Sequence, residues 1–78
     1  MSKTKSELTN KICLRIKFER IKRNWSQEQL AEYADLNKNT IGYIERKTVS
    51  PTVETLEKLA KAFDMTILDL IDVSKIEL

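Results

Sequence analysis

A helix-start signal recurs three times in this chain and limits its fold to a set of short helices. Ser26 is followed three residues later by Gln29, the spacing of a capping box in which each side chain satisfies a backbone N–H of the other residue. Apolar Trp25 and Leu30 flank this pair at the positions of a hydrophobic staple, which fixes how the chain enters a helix. The sequence therefore predicts that helix two spans about 26–33.

The same signal predicts helices that begin at Asn37 and at Thr66. At Asn37 the flanking apolar residues are Leu36 and Ile41, and this third helix is expected to span about 37–46. The residues that complete the pattern at Thr66 are Met65, Asp69 and Leu70. Helix five is therefore expected to begin there.

Apolar periodicity predicts the two remaining helices. The first runs from about Ser6 to Arg23, and one of its sides carries Ile12, Cys13, Ile16 and Arg20. The fourth follows Pro51 and Thr52, and its apolar face is made of Val53, Leu56, Leu59, Ala60 and Phe63. With one Gly and one Pro, the chain has few residues for the turns of a β fold. We predict an all-α, five-helix fold in a single domain spanning 1–78.

Several classes of chemistry are disfavoured by the residues present. His is absent and Cys13 is the one cysteine, so the chain lacks the ligands of a zinc site. A nucleophile paired with a base and a glycine-rich phosphate loop are also missing. The chain has neither an apolar run of membrane-spanning length nor a signal peptide at its first residues. We predict a cytoplasmic protein that is not an enzyme and uses no metal or cofactor.

Charge is unevenly distributed along the chain. Residues 1–50 carry eleven Lys/Arg against six Asp/Glu, a net +5, whereas residues 51–78 carry three against six, a net −3. A basic half and an acidic half suit a protein that presents one side to a polyanion, although ordinary surfaces also produce such splits.

A series of motifs extends from about Ile12 to Ile71. Its members are Ser26-Gln27-Glu28-Gln29-Leu30-Ala31, Leu36-Asn37, Ile41, Ile44-Glu45-Arg46, Pro51, Leu56, Leu59-Ala60 and Phe63. Together they resemble the Cro/C1-type (Xre) helix-turn-helix family. The resemblance implies a bacterial or phage-encoded DNA-binding domain, similar to Cro proteins and to the controller proteins of restriction-modification systems. The short interval 33–37 agrees, because it forces the sharp helix crossing that such a motif needs.

The resemblance also implies which residues contact DNA. Lys38, Asn39 and Tyr43 of the recognition helix, about 37–46, would read bases, since Lys donates to guanine, Asn pairs with adenine and Tyr contacts a thymine methyl or a phosphate. The residues implied to contact the DNA backbone are Gln27, Asn37, Thr40, Arg46, Lys47 and Ser50. For Gln27, bracing a neighbour at the base edge is the alternative role.

A buried ion pair between Arg20 and Glu45 is a further implication of the family. It would be structural, because Arg20 falls on the apolar side of helix one and a charge there needs a partner. Two positions depart from the family pattern: Asp35 and Lys47 stand where Gly is usual. Asp tolerates a left-handed backbone, whereas Lys47 predicts either strain or a differently closed helix end.

Helix one carries a second apolar stripe on nearly the opposite side, made of Leu14, Phe18, Ile21 and Trp25. We expect the C-terminal tail, residues 73–78, to fold over it; a partner subunit or another protein is the alternative. The nearby charges Lys17, Lys22 and Arg23 are equally consistent with ordinary surface and with phosphate contact.

Helix five and the tail hold more apolar residues than one small core requires, which predicts a dimer interface within about 65–78. Its expected members are Ile67, Leu68, Leu70, Ile71, Ile76 and Leu78. A two-fold dimer sets its recognition helices one DNA turn apart, ~34 Å, and so predicts a palindromic operator.

The sequence predicts two alternative functions. The first is a homodimeric transcriptional repressor or autoregulatory activator that binds double-stranded DNA, with RNA polymerase or another protein as an additional partner. The alternative is a protein-interaction module, such as an antitoxin or anti-repressor, on the same fold. Salt-dependent binding to one operator distinguishes them, because an interaction module lacks sequence preference.

Overall fold

A computed structural model of the protein describes residues 6–74 and residue 76, and within them the chain forms five α-helices and no strand. The helices are α1 (Glu7–Lys22), α2 (Gln27–Ala34), α3 (Lys38–Glu45), α4 (Val53–Ala62) and α5 (Ile67–Ile71). The predicted all-α, five-helix fold is confirmed. None of these helices has the length and apolar character needed to cross a membrane.

The helix starts coincide with the capping residues read from the sequence. Ser26 Oγ accepts a hydrogen bond from the Gln29 N–H at 3.0 Å, and the Gln29 side chain accepts one from the Ser26 N–H at 2.8 Å, so the capping box is complete. The side chains of Asn37 and Thr66 likewise cap α3 and α5. These local signals therefore set where three of the helices begin.

The ends of α1 to α4 share one backbone device, a non-glycine residue in the left-handed region. At the end of α3 the Lys47 N–H donates to the Ile44 carbonyl and the Thr48 N–H to the Tyr43 carbonyl, both at 2.9 Å, which is a Schellman motif. The left-handed residues have φ between 57° and 64° and are Asn24, Asp35, Lys47 and Asp64. Lys47 was predicted to cause either strain or a differently closed helix end. Its left-handed backbone corresponds to the first alternative, strain.

Replacing Lys47 with Gly is expected to stabilise the fold by about 1 kcal/mol, because glycine adopts a left-handed conformation without the Cβ clash that lysine meets. Thermal unfolding should show a Tm several degrees higher. Asn24→Gly is the matched control at the end of α1, where a smaller gain is expected because Asn tolerates this conformation. Equal gains in the two variants would contradict a special strain at Lys47.

All five helices contribute to one core. Helix α2 packs against α3 and α4, while α1 packs against α3 and α5. The buried apolar side chains at the centre are Cys13, Ile16, Leu30, Ala31, Ala34, Ile41, Ile44, Leu56, Leu59, Ala60, Phe63 and Leu70. Because α3 is anchored from two sides, its buried face is fixed and its opposite face is left for contacts with other molecules.

Two apolar residues lie elsewhere than the sequence indicated. Val53 is 67% exposed, so its place on the apolar face of α4 was wrong; as the first helical residue it precedes the part that reaches the core. Trp25 does not belong to an open stripe on α1. Its ring lies edge-on to Tyr33 at 4.7 Å between centroids and is stacked on Phe63 at 6.0 Å.

The remainder of the second stripe of α1 borders a surface groove. Phe18 and Ile21 line this groove together with Ile76 of the tail, and both stay about half exposed. The tail thus reaches the stripe, as expected, but covers it incompletely. Leu78, which was expected to contribute, lies outside the described residues.

Candidate nucleic-acid interface

Helix α3 separates its side chains into a buried face and an exposed face. Ile41 and Ile44 are fully buried in the core. On the other side Lys38 and Asn39 are exposed and Tyr43 is 45% exposed. The three side chains predicted to read bases are therefore brought together on one accessible surface.

The turn between α2 and α3 consists of the three residues 35–37. Asp35 takes a left-handed conformation, and the Leu36 N–H then donates to the Ala31 carbonyl at 2.8 Å, which closes α2. The Asn37 side chain accepts from the Asn39 N–H at 2.7 Å and opens α3. The side-chain oxygen of Asn37 is thus used in capping. Its side-chain amide nitrogen is the group that would make the predicted phosphate contact.

A part-buried ion pair anchors the C-terminal end of α3 to α1. The Arg20 guanidinium donates to both oxygens of Glu45, at 2.6 and 2.9 Å, and its third nitrogen donates to the Trp25 carbonyl at 2.7 Å. The side chain of Glu45 is only 3% exposed. This is the pair that the family resemblance implied, and its geometry is bidentate, the strongest arrangement for such ions.

Gln27 joins the same network. Its amide nitrogen donates to Glu45 at 3.1 Å, so the first turn of α2 is tied to the last turn of α3. This contact favours the bracing role over the phosphate role that the sequence left open for Gln27. Its contact with DNA remains a prediction.

The remaining residues predicted to contact the DNA backbone lie on α3 and in the segment after it. Thr40 is half-buried, whereas Arg46, Lys47 and Ser50 are exposed. Arg46 does not extend away from the helix: its guanidinium carbon lies 5.3 Å from the centroid of the Tyr43 ring. The two side chains therefore form one unit on the outer surface of α3.

The predicted dimer region is divided between core and surface. Leu70 is fully buried in the core of its own chain, so its assignment to an interface was wrong, because this position faces inward when α5 packs on α1 and α4. Leu68 is 72% exposed. Ile67 and Ile71 are partly buried against the core, Ile76 is also half-buried, and Leu78 lies outside the described residues.

Sequence reasoning missed a second ionic network, which is centred on the buried Glu19. Arg15 donates to its carboxylate at 2.8 Å and Arg23 at 2.6 Å, with the Lys22 ammonium at 3.4 Å. Burial acts to raise the pKa of Glu19, but the hydrogen bonds from Arg23, Arg15 and Lys22 outweigh it and lower that pKa from 4.5 to about 2. Glu19 is therefore ionised in the folded protein at neutral pH.

The same two arginines hold the ends of other helices. Arg23 donates to the Phe63 carbonyl at the end of α4 at 2.8 Å, and Arg15 donates to the Asp72 carbonyl at the end of α5 at 2.9 Å. Arg23 thus has a structural role in joining α1 to the end of α4. The spacing of Arg15, Glu19 and Arg23 by four residues was the available signal.

Comparison with known proteins agrees with this geometry. Residues 16–70 match the family profile described as Helix-turn-helix. Control protein C.BamHI of Bacillus amyloliquefaciens is 40% identical over 55 residues, which are 70% of this chain and 68% of that protein. The cryptic phage CTXphi transcriptional repressor RstR of Vibrio cholerae is 39% identical over 56 residues, which are 72% of this chain and 50% of the repressor.

A solved structure of a related protein has the same fold. The wild-type restriction-modification controller protein C.Esp1396I superposes with a TM-score of 0.79 at 26% identity, covering 94% of this chain and 100% of that protein. This chain spans about half the length of the phage repressor, so the comparison with that protein concerns the matched domain. The profile match over most of the chain and the shared fold establish that the chain belongs to the helix-turn-helix family, in its Cro/C1 (Xre) branch.

Proposed function

We propose that the protein is a transcription regulator that binds a palindromic DNA operator as a homodimer, through base contacts by Lys38, Asn39 and Tyr43. The observation that carries this proposal is the exposed row of donors on α3, opposite a face fixed by the core and by the Arg20–Glu45 pair. A helix held in this way can present side chains to base edges in a major groove without first becoming ordered. The mechanism is binding, not catalysis.

Charge supports the same proposal. Lys38, Arg46 and Lys47 lie on or beside the exposed face of α3. The similar proteins are named a transcriptional repressor, a control protein and a restriction-modification controller protein. For this chain we infer the same class of activity. Backbone contacts by Asn37, Thr40, Lys47 and Ser50 would set the register on the duplex, while Gln27 braces Glu45.

Equilibrium binding to DNA at several salt concentrations tests the proposal. A duplex selected from a random pool should bind at least about a thousandfold more tightly than a scrambled duplex. The logarithm of the binding constant should fall linearly with the logarithm of salt concentration, by about 0.9 for each phosphate contact. Equal, weak binding to both duplexes would overturn sequence-specific recognition.

The homodimer is proposed to form through α5, where Leu68 is 72% exposed. Ile67 and Ile71 border it on the same helix. A second copy of the chain would cover Leu68 together with the partly exposed Ile67 and Ile71, because two-fold symmetry brings the same surface of both protomers together.

Leu68→Lys is expected to convert the dimer to a monomer and to weaken operator binding at least tenfold, while its Tm at dilute concentration stays unchanged. Analytical ultracentrifugation across a concentration series measures this change. Val53→Lys is the matched control, because Val53 is an aliphatic residue on another helix and is 67% exposed. A monomeric wild type, or two variants that dimerise equally well, would contradict the assignment of the interface to α5.

A second function, as a protein-interaction module, is favoured by the groove that Phe18 and Ile21 share with Ile76. An additional partner such as RNA polymerase would find apolar side chains there with basic ones beside them. If this were the main role, the protein would bind DNA without sequence preference, and Phe18→Lys would abolish its activity in cells while leaving DNA binding intact.

A further inference from the structure

The side chain of Arg46 folds back over α3 and lies on its outer face. A Cβ atom added to Gly42 would lie 3.0 Å from one terminal nitrogen of Arg46 and 3.6 Å from its guanidinium carbon. Gly42 itself is buried, and the neighbours closest to such a Cβ all belong to Arg46. This folded-back side chain of Arg46, which we call the arm, therefore occupies the space that a side chain at position 42 would need.

Tyr43 supports the arm from the side. The guanidinium carbon of Arg46 lies 5.3 Å from the centroid of its ring, within the range of a cation–π contact. Both residues are exposed to solvent on the outer surface of α3. The contact restricts the orientations of the guanidinium plane before any ligand arrives, which reduces the ordering cost of binding.

The position of the Arg46 guanidinium on α3 decides whether it can reach bases or phosphates. Asn39, Tyr43 and Arg46 follow one another at spacings of four and three residues, which places them in one row along the exposed face. A phosphate contact at the rim of a groove would suit an arm extended past the end of α3. Here the donors lie back over the helix, beside the residues expected to face bases.

We propose that Arg46 reads a guanine base in the operator, with Tyr43 as its platform and Gly42 as the positioning residue that leaves room for the arm. This inference rests on the proposed function and replaces the expectation from the sequence that Arg46 contacts the DNA backbone. A planar guanidinium donates in a bidentate manner to O6 and N7 of guanine, the commonest specific contact between proteins and DNA. The adjacent Tyr43 ring would then contact the neighbouring base, a thymine through its methyl group.

The test compares Arg46→Ala, Gly42→Ala and the neighbouring Lys47→Ala on a selected duplex and on all its single base-pair variants. Wild type is expected to prefer one G·C pair in each half-site by about 5- to 150-fold, a bidentate contact being worth ~1–3 kcal/mol. Arg46→Ala should lose preference at that pair and keep the others. Lys47→Ala should weaken binding to every duplex alike.

Gly42→Ala keeps the Arg46 side chain but displaces its guanidinium, so this variant tests whether the position of the guanidinium matters. The added methyl meets only the far end of a flexible side chain, and alanine is the better helix former, so the Tm should be unchanged or higher. Preference at the same G·C pair should nevertheless fall. Replacing that guanine with 7-deazaguanine, which lacks the N7 acceptor, should weaken wild type several-fold and leave Arg46→Ala unaffected.

Two results would overturn the inference. If Arg46→Ala weakens all duplexes equally, as Lys47→Ala does, Arg46 contacts the backbone while the proposed function stands. If wild type itself shows no preference on any duplex, the proposed function fails and this inference fails with it.

Discussion

Replacing Glu45 with Ala is expected to lower the free energy of unfolding by an amount on the order of 3–5 kcal/mol, because it leaves the Arg20 guanidinium part-buried without its carboxylate. The Arg20 side chain is 14% exposed and that of Glu45 3%, so water cannot replace the lost partner well. Gln27 loses its acceptor at the same time. Chemical denaturation monitored by circular dichroism measures the loss.

A double-mutant cycle provides the control for this prediction. Arg20→Met combined with Glu45→Leu removes both charges and fills the same space. This double variant should be more stable than either Arg20→Met or Glu45→Leu alone, and close to wild type. A loss below about 1 kcal/mol in Glu45→Ala would mean that the pair behaves as an exposed one. The operator affinity of the double variant should still be reduced, since α3 loses its link to Gln27 and α1.

The second large effect concerns Glu19 and acid. Because the folded-state pKa of Glu19 is lowered from 4.5 to about 2, its ionisation stabilises the fold above about pH 5, and this contribution is lost as pH falls toward 2. The difference in pKa corresponds to about 3 kcal/mol. Glu19→Gln should therefore lose about that much stability at pH 7.

Unfolding measured at a series of pH values tests this prediction. The difference between wild type and Glu19→Gln should shrink as pH decreases from 5 to 2, whereas the exposed Glu57→Gln should match wild type throughout. A constant difference between the two proteins at every pH would show that the variant acts by lost packing and not by lost charge.

Most of the fold could be predicted because its signals are local. A capping side chain such as Ser26 acts on backbone N–H groups within three residues, and the spacing of apolar residues defines the buried face of α4. Leu70 and Val53 were misplaced because burial at a helix start and on a short helix depends on how the helices pack. That information is not contained in a residue's neighbours along the chain.

The site divides in the same way. The exposed row of side chains on α3 could be predicted from helical periodicity. The Arg20–Glu45 pair could be predicted from the family resemblance. The Glu19 network joins α1 to carbonyls at residues 63 and 72, so its long-range half was invisible in the sequence. The folded-back arm of Arg46 depends on the missing side chain at Gly42, a feature whose meaning appears only in three dimensions.

Selection of bound duplexes from a random-sequence pool, with wild type and Asn39→Ala in parallel, tests most directly whether the outer face of α3 reads DNA sequence. For wild type we predict an inverted repeat with half-sites about one helical turn apart. For Asn39→Ala we predict the same repeat with preference lost at one symmetric A·T pair, since Asn pairs bidentately with adenine. No enrichment with wild type, or identical motifs from both proteins, would contradict base reading by this surface.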